Sequence, residues 1–511
     1  MLAWLAACGS GGPALAPDAA ARDAARALGP DSPVLTPCAP GWREVVDPSG
    51  LVFCDPWPES GRARCAATDM HLPGTAGCAR VGSACPADGW PAALPSGGVV
   101  FVDPTAAPGG DGATRATALG TFHEAVASAP DGSVVALRAG LYDETALTMI
   151  TTTRSLSVVG ACASGTTIAM RLDGSTRGLV LGADLALRDV ALDGVPVQPS
   201  TGTTTIEDVR MGEGAGLLAV GGRVSVRRSL MRLLVFTEDT IAVVEDVVDV
   251  DPNIALQLQH TAHVSAQRLV VSSVAASDAA TLDLTGSVVE GGTDGGAGSL
   301  QCERVTLTDC FVGDSAASGL KLDAVATLTR TRIGRVRGQF GLLTSGPVAL
   351  HDVVVHDIGS ETGTYGLGLG ASFGGSLALS RVATLRTRVA GMVAYEASTI
   401  TATDVRVEDV SSACVETDCA SGPIGGFGLA SRGGTLAVSR FSVERDALCG
   451  VVIGVDASVD LADGWIDDSP IGACVQATAF DPERVHRNVE YRAGVTTPLQ
   501  ATTYTLPPPP R

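Results

Sequence analysis

The sequence predicts an all-β fold in which short strands wind into a solenoid. Between Asp189 and Asp463 one phrase recurs thirteen times, with alternating apolar residues on both sides of a mostly charged position. The intervals between these positions run from 18 to 36 residues, which is too short for a repeat of two helices. The positions are Asp189, Asp208, Arg228, Asp246, Arg268, Gly286, Arg304, Arg330, Asp352, Arg381, Asp404, Arg440 and Asp463.

A second signal marks the turn into another strand of each coil. Glycine supplies backbone angles that other residues resist, and the apolar residues that follow it are suited to a narrow interior. The glycines are Gly319, Gly341, Gly366, Gly391, Gly428, Gly450 and Gly472.

From Arg330 onward the charged position alternates between Arg and Asp. Rungs of such a coil lie about 4.8 Å apart, so each charge would stand between two opposite ones. The alternation predicts an outward ladder of ion pairs that opposes slips in strand register. A ligand track is the alternative.

We assign residues 96–490 to the solenoid and residues 491–511 to a C-terminal tail. Before the repeats come a strand from Val99, a Gly-rich loop and an amphipathic helix over about residues 117–129. One face of this helix carries Leu119, Phe122, Ala125 and Val126. This opening resembles the pectin-lyase-like superfamily of right-handed parallel β-helix proteins, in which a helix covers the first coil. The resemblance implies that fold, with its N-terminal capping helix protecting the strand edges of the first coil.

The N-terminus resembles the lipobox of bacterial lipoproteins in the residues from Leu5 to Ser10. Residues 1–8 are then a partial lipoprotein signal and Cys8 carries the lipid, which would be the only attachment to a membrane. Residues 9–37 have the Ala, Pro and Gly content of a linker. A chance Ala-rich run is the alternative, because few residues and no basic ones precede Cys8.

The remaining cysteines predict disulfides and an exported protein. Residues 38–95 form a Cys-rich module that contains Trp42, Trp57 and Trp90 and is too small for a core of its own. It could serve as a cap or as the part that grips a glycan. Its five cysteines need one external partner, for which Cys162 is the nearest, and Cys302–Cys310, Cys414–Cys419 and Cys449–Cys474 would complete the pairing. The module's cysteines are Cys38, Cys54, Cys65, Cys78 and Cys85.

Two long insertions are candidate ligand loops, because binding sites of solenoids grow from loops of unequal length. A carbohydrate or calcium contact there is one interpretation, and a plain surface excursion is the other. The candidate residues are Asp357, Glu361, Tyr365, Glu416 and Asp418.

The Gly-Asp turn near Val99 could also chelate Ca²⁺, through Asp103 and Asp111. A Gly-Asp turn forms equally well without an ion. No other cofactor is expected.

Charge excludes nucleic acid as a partner, since the net charge is -20 and Lys321 is the single lysine. The catalytic motifs of related polysaccharide hydrolases and lyases are missing, apart from the fragment from Trp465 to Asp468. We therefore expect an exported bacterial protein, in the outer membrane, on the cell surface or extracellular, that binds or displays a polysaccharide or a surface protein. A polysaccharide lyase or glycoside hydrolase acting through loop carboxylates is the alternative.

Overall fold

A computed structural model of the protein describes residues 29–147, 149–170, 178–249, 256–291, 297–359, 365–414, 423–504 and 506–509. These residues contain a solenoid of parallel strands, as predicted. Each coil has three strand positions, which we name face A, face B and face C in chain order. Faces A and B belong to one sheet of 25 described strands, and face C is a separate sheet of 16.

The strands have the following bounds. Face A contains Val99–Val102, Ser133–Leu137, Leu156–Gly160, Leu185–Arg188, Thr203–Glu207, His263–Gln267, Thr281–Thr285, Arg304–Thr308 and Val325–Thr329. Face B contains Gly140–Glu144, Thr166–Met170, Ala191–Asp193, Arg210–Met211, Val270–Val271, Val288–Glu290, Phe311–Gly313, Arg332–Val336 and Arg487–Tyr491. Longer strands run through both faces: Arg223–Met231, Ile241–Asp249, Pro347–Ile358, Ser376–Thr387, Thr399–Glu408, Thr435–Glu444 and Ser458–Asp467. Face C contains Ile150–Thr152, Leu179–Leu181, Pro196–Pro199, Gly216–Val220, Leu234–Thr237, Leu256–Leu258, Val274–Ser277, Gly298–Gln301, Leu320–Leu322, Phe340–Thr344, Leu367–Ala371, Ala390–Ala394, Phe427–Ser431, Cys449–Ile453, Ile471–Val475 and Thr497–Ala501.

The corner between faces A and B consists of one residue per coil in the left-handed backbone region. From Asp189 to Asp463 these residues have φ between 44° and 58°, and they are the recurring charged positions of the sequence with one exception. Arg304 was the wrong choice for its coil, because it begins a face A strand, whereas the chain turns at Asp309, with φ 53°. Asp is one of the few residues that tolerate this region, because its short side chain bonds to nearby backbone.

The first coil is covered by a short helix, Phe122–Ser128, which follows a 3₁₀ turn at Arg115–Thr117. Phe122, Ala125 and Val126 are at most 1% exposed and join the solenoid interior, as predicted, although the helix is shorter than expected. Leu119 lies before the helix and bridges to Val102 as an extended residue. The helix removes the apolar edge of the first coil from water.

The N-terminal segment lies along the outside of face B, and we call residues 29–95 the strap. Its short antiparallel pairs are Arg43–Val46 with Val52–Asp55 and Asp69–Met70 with Ala79–Arg80. Its apolar side chains pack on an outward apolar row of face B. This row, which we call the outer B row, comprises Leu230, Val248, Val270, Val288, Phe311, Val354 and Ala383. Face B strands are therefore buried on both sides, which explains their continuous apolar runs.

The strap corrects two expectations. Residues 29–37 are not free linker, because Leu35 is 2% exposed and the Val34 amide donates to Asp352 Oδ1 at 2.9 Å. Trp42, Trp57 and Trp90 are 5–8% exposed, so their rings are not available to stack on a glycan. The rings instead supply the apolar contacts that a module without its own core requires.

The solenoid extends past residue 490, which corrects the predicted tail. Thr497–Ala501 pairs with Ile471–Val475 as a further rung of face C. The chain then returns along the outside of face C, where Leu506 packs with Phe340 and Phe427. The insertion hairpin Ser412–Cys414 with Pro423–Gly425 and the 3₁₀ turn Pro482–Val485 complete the regular elements of the described chain.

Disulfides join Cys38–Cys54, Cys65–Cys78, Cys85–Cys162 and Cys449–Cys474. Cys162 is thus the external partner of the module, as expected, and such bonds are typical of exported proteins. The expected bond between Cys302 and Cys310 is wrong, since both are buried free thiols. The strand Arg304–Thr308 separates them by about 17 Å of extended chain, whereas bridged Cα atoms lie about 4.4–6.8 Å apart. The side chains of Cys414 and Cys419 lie outside the described residues.

No helix in the described ranges is long and apolar enough to cross a membrane. Cys8 and the rest of residues 1–28 lie outside the described chain.

Candidate functional site

Aspartate and arginine alternate down two corners of the solenoid. The first ladder comprises Asp309, Arg330, Asp352, Arg381, Asp404, Arg440 and Asp463. A second ladder, which the sequence analysis missed, follows five residues later in each coil, with φ between 49° and 59°. It comprises Asp314, Arg335, Asp357, Arg386, Asp409, Arg445 and Asp468.

Each arginine of the ladders bonds to the aspartate of the preceding coil. Arg330 donates from Nε and Nη2 to Asp309 at 2.6 and 2.7 Å, and Arg381 does the same to Asp352 at 2.7 and 2.6 Å. This fork geometry fixes one rung against the next. These carboxylates are engaged by guanidinium groups, which supports the structural interpretation of the alternation over a ligand track.

Asp357, predicted as a loop ligand, is instead a member of the second ladder. Arg386 and His356 each lie 2.6 Å from its carboxylate oxygens. Although burial raises the pKa of Asp357, hydrogen bonds from these two residues hold it well below its usual value. Tyr365 is half-buried beside face C. The other loop candidates, Glu361, Glu416 and Asp418, lie outside the described residues.

The predicted calcium site has its main carboxylate already occupied. Asp103 accepts the Thr105 amide at 2.9 Å and binds Arg138 Nη1 at 2.6 Å, while Asp111 accepts the Ala113 amide at 3.0 Å. These are turn and ion-pair contacts that form without a metal. Within the described ranges, no three His, Cys, Asp or Glu side chains are grouped so that they could hold a metal ion.

The lyase-like fragment from Trp465 to Asp468 belongs to the last coils. Trp465 Nε1 donates to Glu444 at 3.0 Å, and the Arg492 guanidinium lies 3.9 Å from the centre of its ring. Asp467 Oδ1 accepts the Asp468 amide at 2.9 Å. The fragment is therefore explained by contacts between neighbouring rungs.

One acid, Asp446, is buried and makes no ion pair within the described chain. Asp446 is 2% exposed, its carboxylate lies 3.5 Å from the Ser469 hydroxyl, and its Oδ1 has no hydrogen-bond partner in the described chain. Burial raises the pKa of Asp446 well above the ordinary value. The contribution of Asp446 to the free energy of unfolding is fully present at pH values below its unfolded-state pKa near 4. It is lost as the pH rises through the higher pKa that Asp446 has in the folded state.

Replacing Asp446 with Asn is therefore expected to raise stability at pH 7 by about 1–3 kcal/mol, because an amide is not ionised there. The gain should shrink toward pH 4, where the wild-type carboxyl is neutral. Thermal melting of both proteins at pH 4, 5.5 and 7 measures this, and a gain that does not change with pH would contradict the explanation.

Face A is the side of the solenoid whose outward residues remain accessible. From Thr306 to Ser439, over six consecutive coils, these residues are small, mostly hydroxyl-bearing and uncharged apart from His351, and the exposed Arg304 stands at the edge of this surface. Hydrogen-bonded register places them in continuous rows, for example Thr306, Thr327 and Ala349. The set comprises Thr306, Thr308, Val325, Thr327, Thr329, Pro347, Ala349, His351, Ser376, Ala378, Ser380, Thr399, Thr401, Thr403, Thr435, Ala437 and Ser439.

An exposed aromatic ring stands at the edge of this surface. Phe373 is 73% exposed, the most exposed of the large hydrophobic residues in the described chain, and lies in the turn from face C to face A. Its φ of 52° is a genuine outlier for a bulky residue. A costly conformation that holds an apolar ring in water is typical of functional positions.

The neighbouring turns place polar groups on both sides of Phe373. Pairing of Thr344, Ala371 and Ala394 stacks these turns in register. The turn before carries Ser345, whose hydroxyl bonds to Asp323, and the turn after carries the exposed Glu396. A ring flanked by a carboxylate and hydroxyls, beside a neutral flat surface, is suited to an uncharged polyhydroxylated molecule.

Phe373 was not among the candidate residues that the sequence suggested, whereas Tyr365 was. Two other aromatic residues of the coils are Tyr395 and Trp465. Tyr395 is 2% exposed and Trp465 is covered by Arg492, so neither offers a free ring. The two glycines after Phe373 indicate a turn, but only the fold shows that the ring is exposed there.

Comparisons with known proteins assign no family. No protein-family model and no curated protein matches the chain. Among solved structures, the crystal structure of the pectate lyase Pel9A is similar at 10% identity and a TM-score of 0.17, over 79% of this chain and 81% of that one. At this TM-score we infer nothing about activity from the likeness, and the fold assignment rests on the strand pairing of this chain.

Proposed function

We propose that this protein is an exported, right-handed parallel β-helix, lipid-anchored through Cys8, that binds an uncharged polysaccharide along face A. The observation that carries the proposal is the exposed ring of Phe373 beside a neutral, hydroxyl-bearing surface. The strap covers the outside of face B and the C-terminal segment covers the outside of face C over many coils, whereas face A stays accessible. A flat surface of parallel strands about 25 Å long matches an extended polymer.

The sugar would stack its apolar side on Phe373 while its hydroxyl groups donate to the Glu396 carboxylate and exchange hydrogen bonds with Ser376 and Thr399. Aromatic rings bring a large contact area with little loss of side-chain freedom. From Thr306 to Ser439 the face carries no charged residue apart from His351, with Arg304 at its edge, and this lack of a basic row favours a neutral glycan over an acidic one.

The test is a Phe373→Asn variant with a panel of neutral and acidic polysaccharides. Asn tolerates a positive φ, so we expect this variant to be more stable by about 0.5–1 kcal/mol, while its affinity for the bound glycan falls at least tenfold. Affinity electrophoresis and thermal melting measure the two effects. Val46→Ala removes a similarly exposed side chain, 69% accessible on the strap, and should bind like wild type.

Two results would overturn the proposal. The first is that wild type binds none of the glycans, and the second is that Phe373→Asn binds as well as wild type. New reducing ends or unsaturated products from any glycan would instead identify an enzyme. Such an enzyme would use carboxylates in residues 360–364 or 415–422, outside the described chain.

A further inference from the structure

We infer that the strap is an acid-released cover over the outer B row, with His356 as the group that senses pH. This inference is independent of glycan binding on face A. It rests on a buried histidine at the contact between strap and solenoid, and on what surrounds that histidine.

His356 contributes to the contact as a neutral ring. It is 4% exposed and stacks on Phe53 of the strap, with ring centres 5.1 Å apart and planes 20° from parallel. Its Nδ1 lies 2.6 Å from Asp357 Oδ2, and its Nε2 has no hydrogen-bond partner in the described chain. Nε2 lies against Gly334, where an added Cβ would come within 2.3 Å of it. A second proton on this ring would therefore be buried without an acceptor.

The charged groups around His356 come from three coils and from the strap. On its own strand Asp357 favours the protonated ring, while on the preceding strand Arg332 opposes it. Arg332 is 4% exposed, and its guanidinium lies 4.3 Å from the Phe311 ring centre and 5.8 Å from that of Phe53.

On the following strand the positive charge of Arg386 also disfavours protonation of His356. The Arg386 guanidinium donates to Asp357 at 2.6 Å and to Asp47 of the strap at 2.9 Å. Asp55, also on the strap, lies across from Arg332 and Arg335 and is bound by Arg43 at 2.8 Å. Two of the three coils thus place an arginine beside His356, and its positive charge would repel a protonated histidine ring.

Burial lowers the pKa of His356, and the hydrogen bond to Asp357 only partly offsets it. The contribution of His356 to docking of the strap is therefore fully present at pH values above the ordinary histidine pKa near 6.5. It is lost as the pH falls through the lower pKa that His356 has in the docked state. One proton is taken up on release, so the undocked fraction should rise by up to tenfold per pH unit.

Release would uncover a large apolar surface without detaching the strap. The outer B row is 0–3% exposed at Leu230, Val248, Val354 and Ala383, and within the described chain the segment packed on its outside is the strap. The Cys85–Cys162 bond keeps one end of the strap on the first coils, so it can return when pH rises. Contiguous exposed apolar surface of this kind marks interaction sites.

Hydrogen exchange of the full oxidised protein between pH 7.5 and 5 tests the inference. After correction for intrinsic rates, amides of residues 35–57 in wild type should lose protection by up to tenfold per pH unit below about 6.5, while interior solenoid amides do not change. Binding of an apolar dye should rise over the same interval. Equal strap protection at pH 7.5 and 5 would overturn the inference, and this measurement needs no variant.

Variants identify the group responsible. His356→Gln should remove the pH dependence between 7.5 and 5, and His263→Gln, which changes an exposed histidine of face A, should keep it. Asp47→Asn should also keep it, because Asp47 has a pKa below its usual range and titrates at lower pH. An unchanged pH dependence in His356→Gln would overturn the assignment to His356.

Discussion

Replacing Asp352 with Arg is expected to lower the free energy of unfolding by about 3–5 kcal/mol. Asp352 is 8% exposed and accepts both bonds from Arg381 and one from the Val34 amide of the strap. The substitution would place three arginines on consecutive rungs, with Arg330 before and Arg381 after. It would also remove an acceptor that fixes the end of the strap.

Asp352→Asn is the matched control, because it keeps a residue that tolerates the left-handed corner and still accepts a hydrogen bond. It should cost clearly less than Asp352→Arg in a denaturant titration followed by circular dichroism. Equal losses for both variants would assign the effect to the lost carboxylate and its bonds to Arg381 and Val34, rather than to repulsion among three arginines. An unchanged midpoint for Asp352→Arg would refute a stabilising role for the ladder.

Removing the Cys85–Cys162 bond by alanine substitution at both positions is expected to cost about 4 kcal/mol, because the bond closes a span of 77 residues. It is the one disulfide of the described chain that joins strap to solenoid. We expect residues 35–57 to lose protection from hydrogen exchange first, since the strap then depends on packing and ion pairs alone.

The matched control removes Cys65–Cys78, which closes 13 residues inside the strap and leaves its attachment to the solenoid intact. This loss should be near 3 kcal/mol, with the protection of residues 35–57 retained. If both double variants expose these residues equally, the covalent attachment to the first coils is not what retains the strap.

The first ladder was predictable because charge and repeat coincide at one position per coil. The single error, Arg304 for Asp309, arose because charged residues stand at both ends of this face A strand and only the backbone turn shows which one occupies the corner. The second ladder was equally visible in the sequence, because Asp and Arg alternate again five residues after each member of the first.

The strap could not be predicted from the sequence. Apolar runs such as Val353–Val355 indicate that both sides of face B are buried, but they do not say which segment covers the outer side. The module's aromatic content suggested a binding surface, whereas the same rings complete a shared core. The candidate site was missed for a related reason, because Phe373 is set apart by its exposure and its strained turn, which depend on the fold.

The ion pairs of the ladders join the coils two by two, as in Asp309 with Arg330 and Asp352 with Arg381. Inserting or deleting a single coil would bring like charges together at both corners, whereas a change of two coils would leave every pair intact. Solenoids built on this pattern should therefore lengthen and shorten by duplicating or losing coils in even numbers. Because the charges alternate from coil to coil, a segment of two coils, rather than a single repeat, is the unit by which such a chain can grow or shrink in evolution.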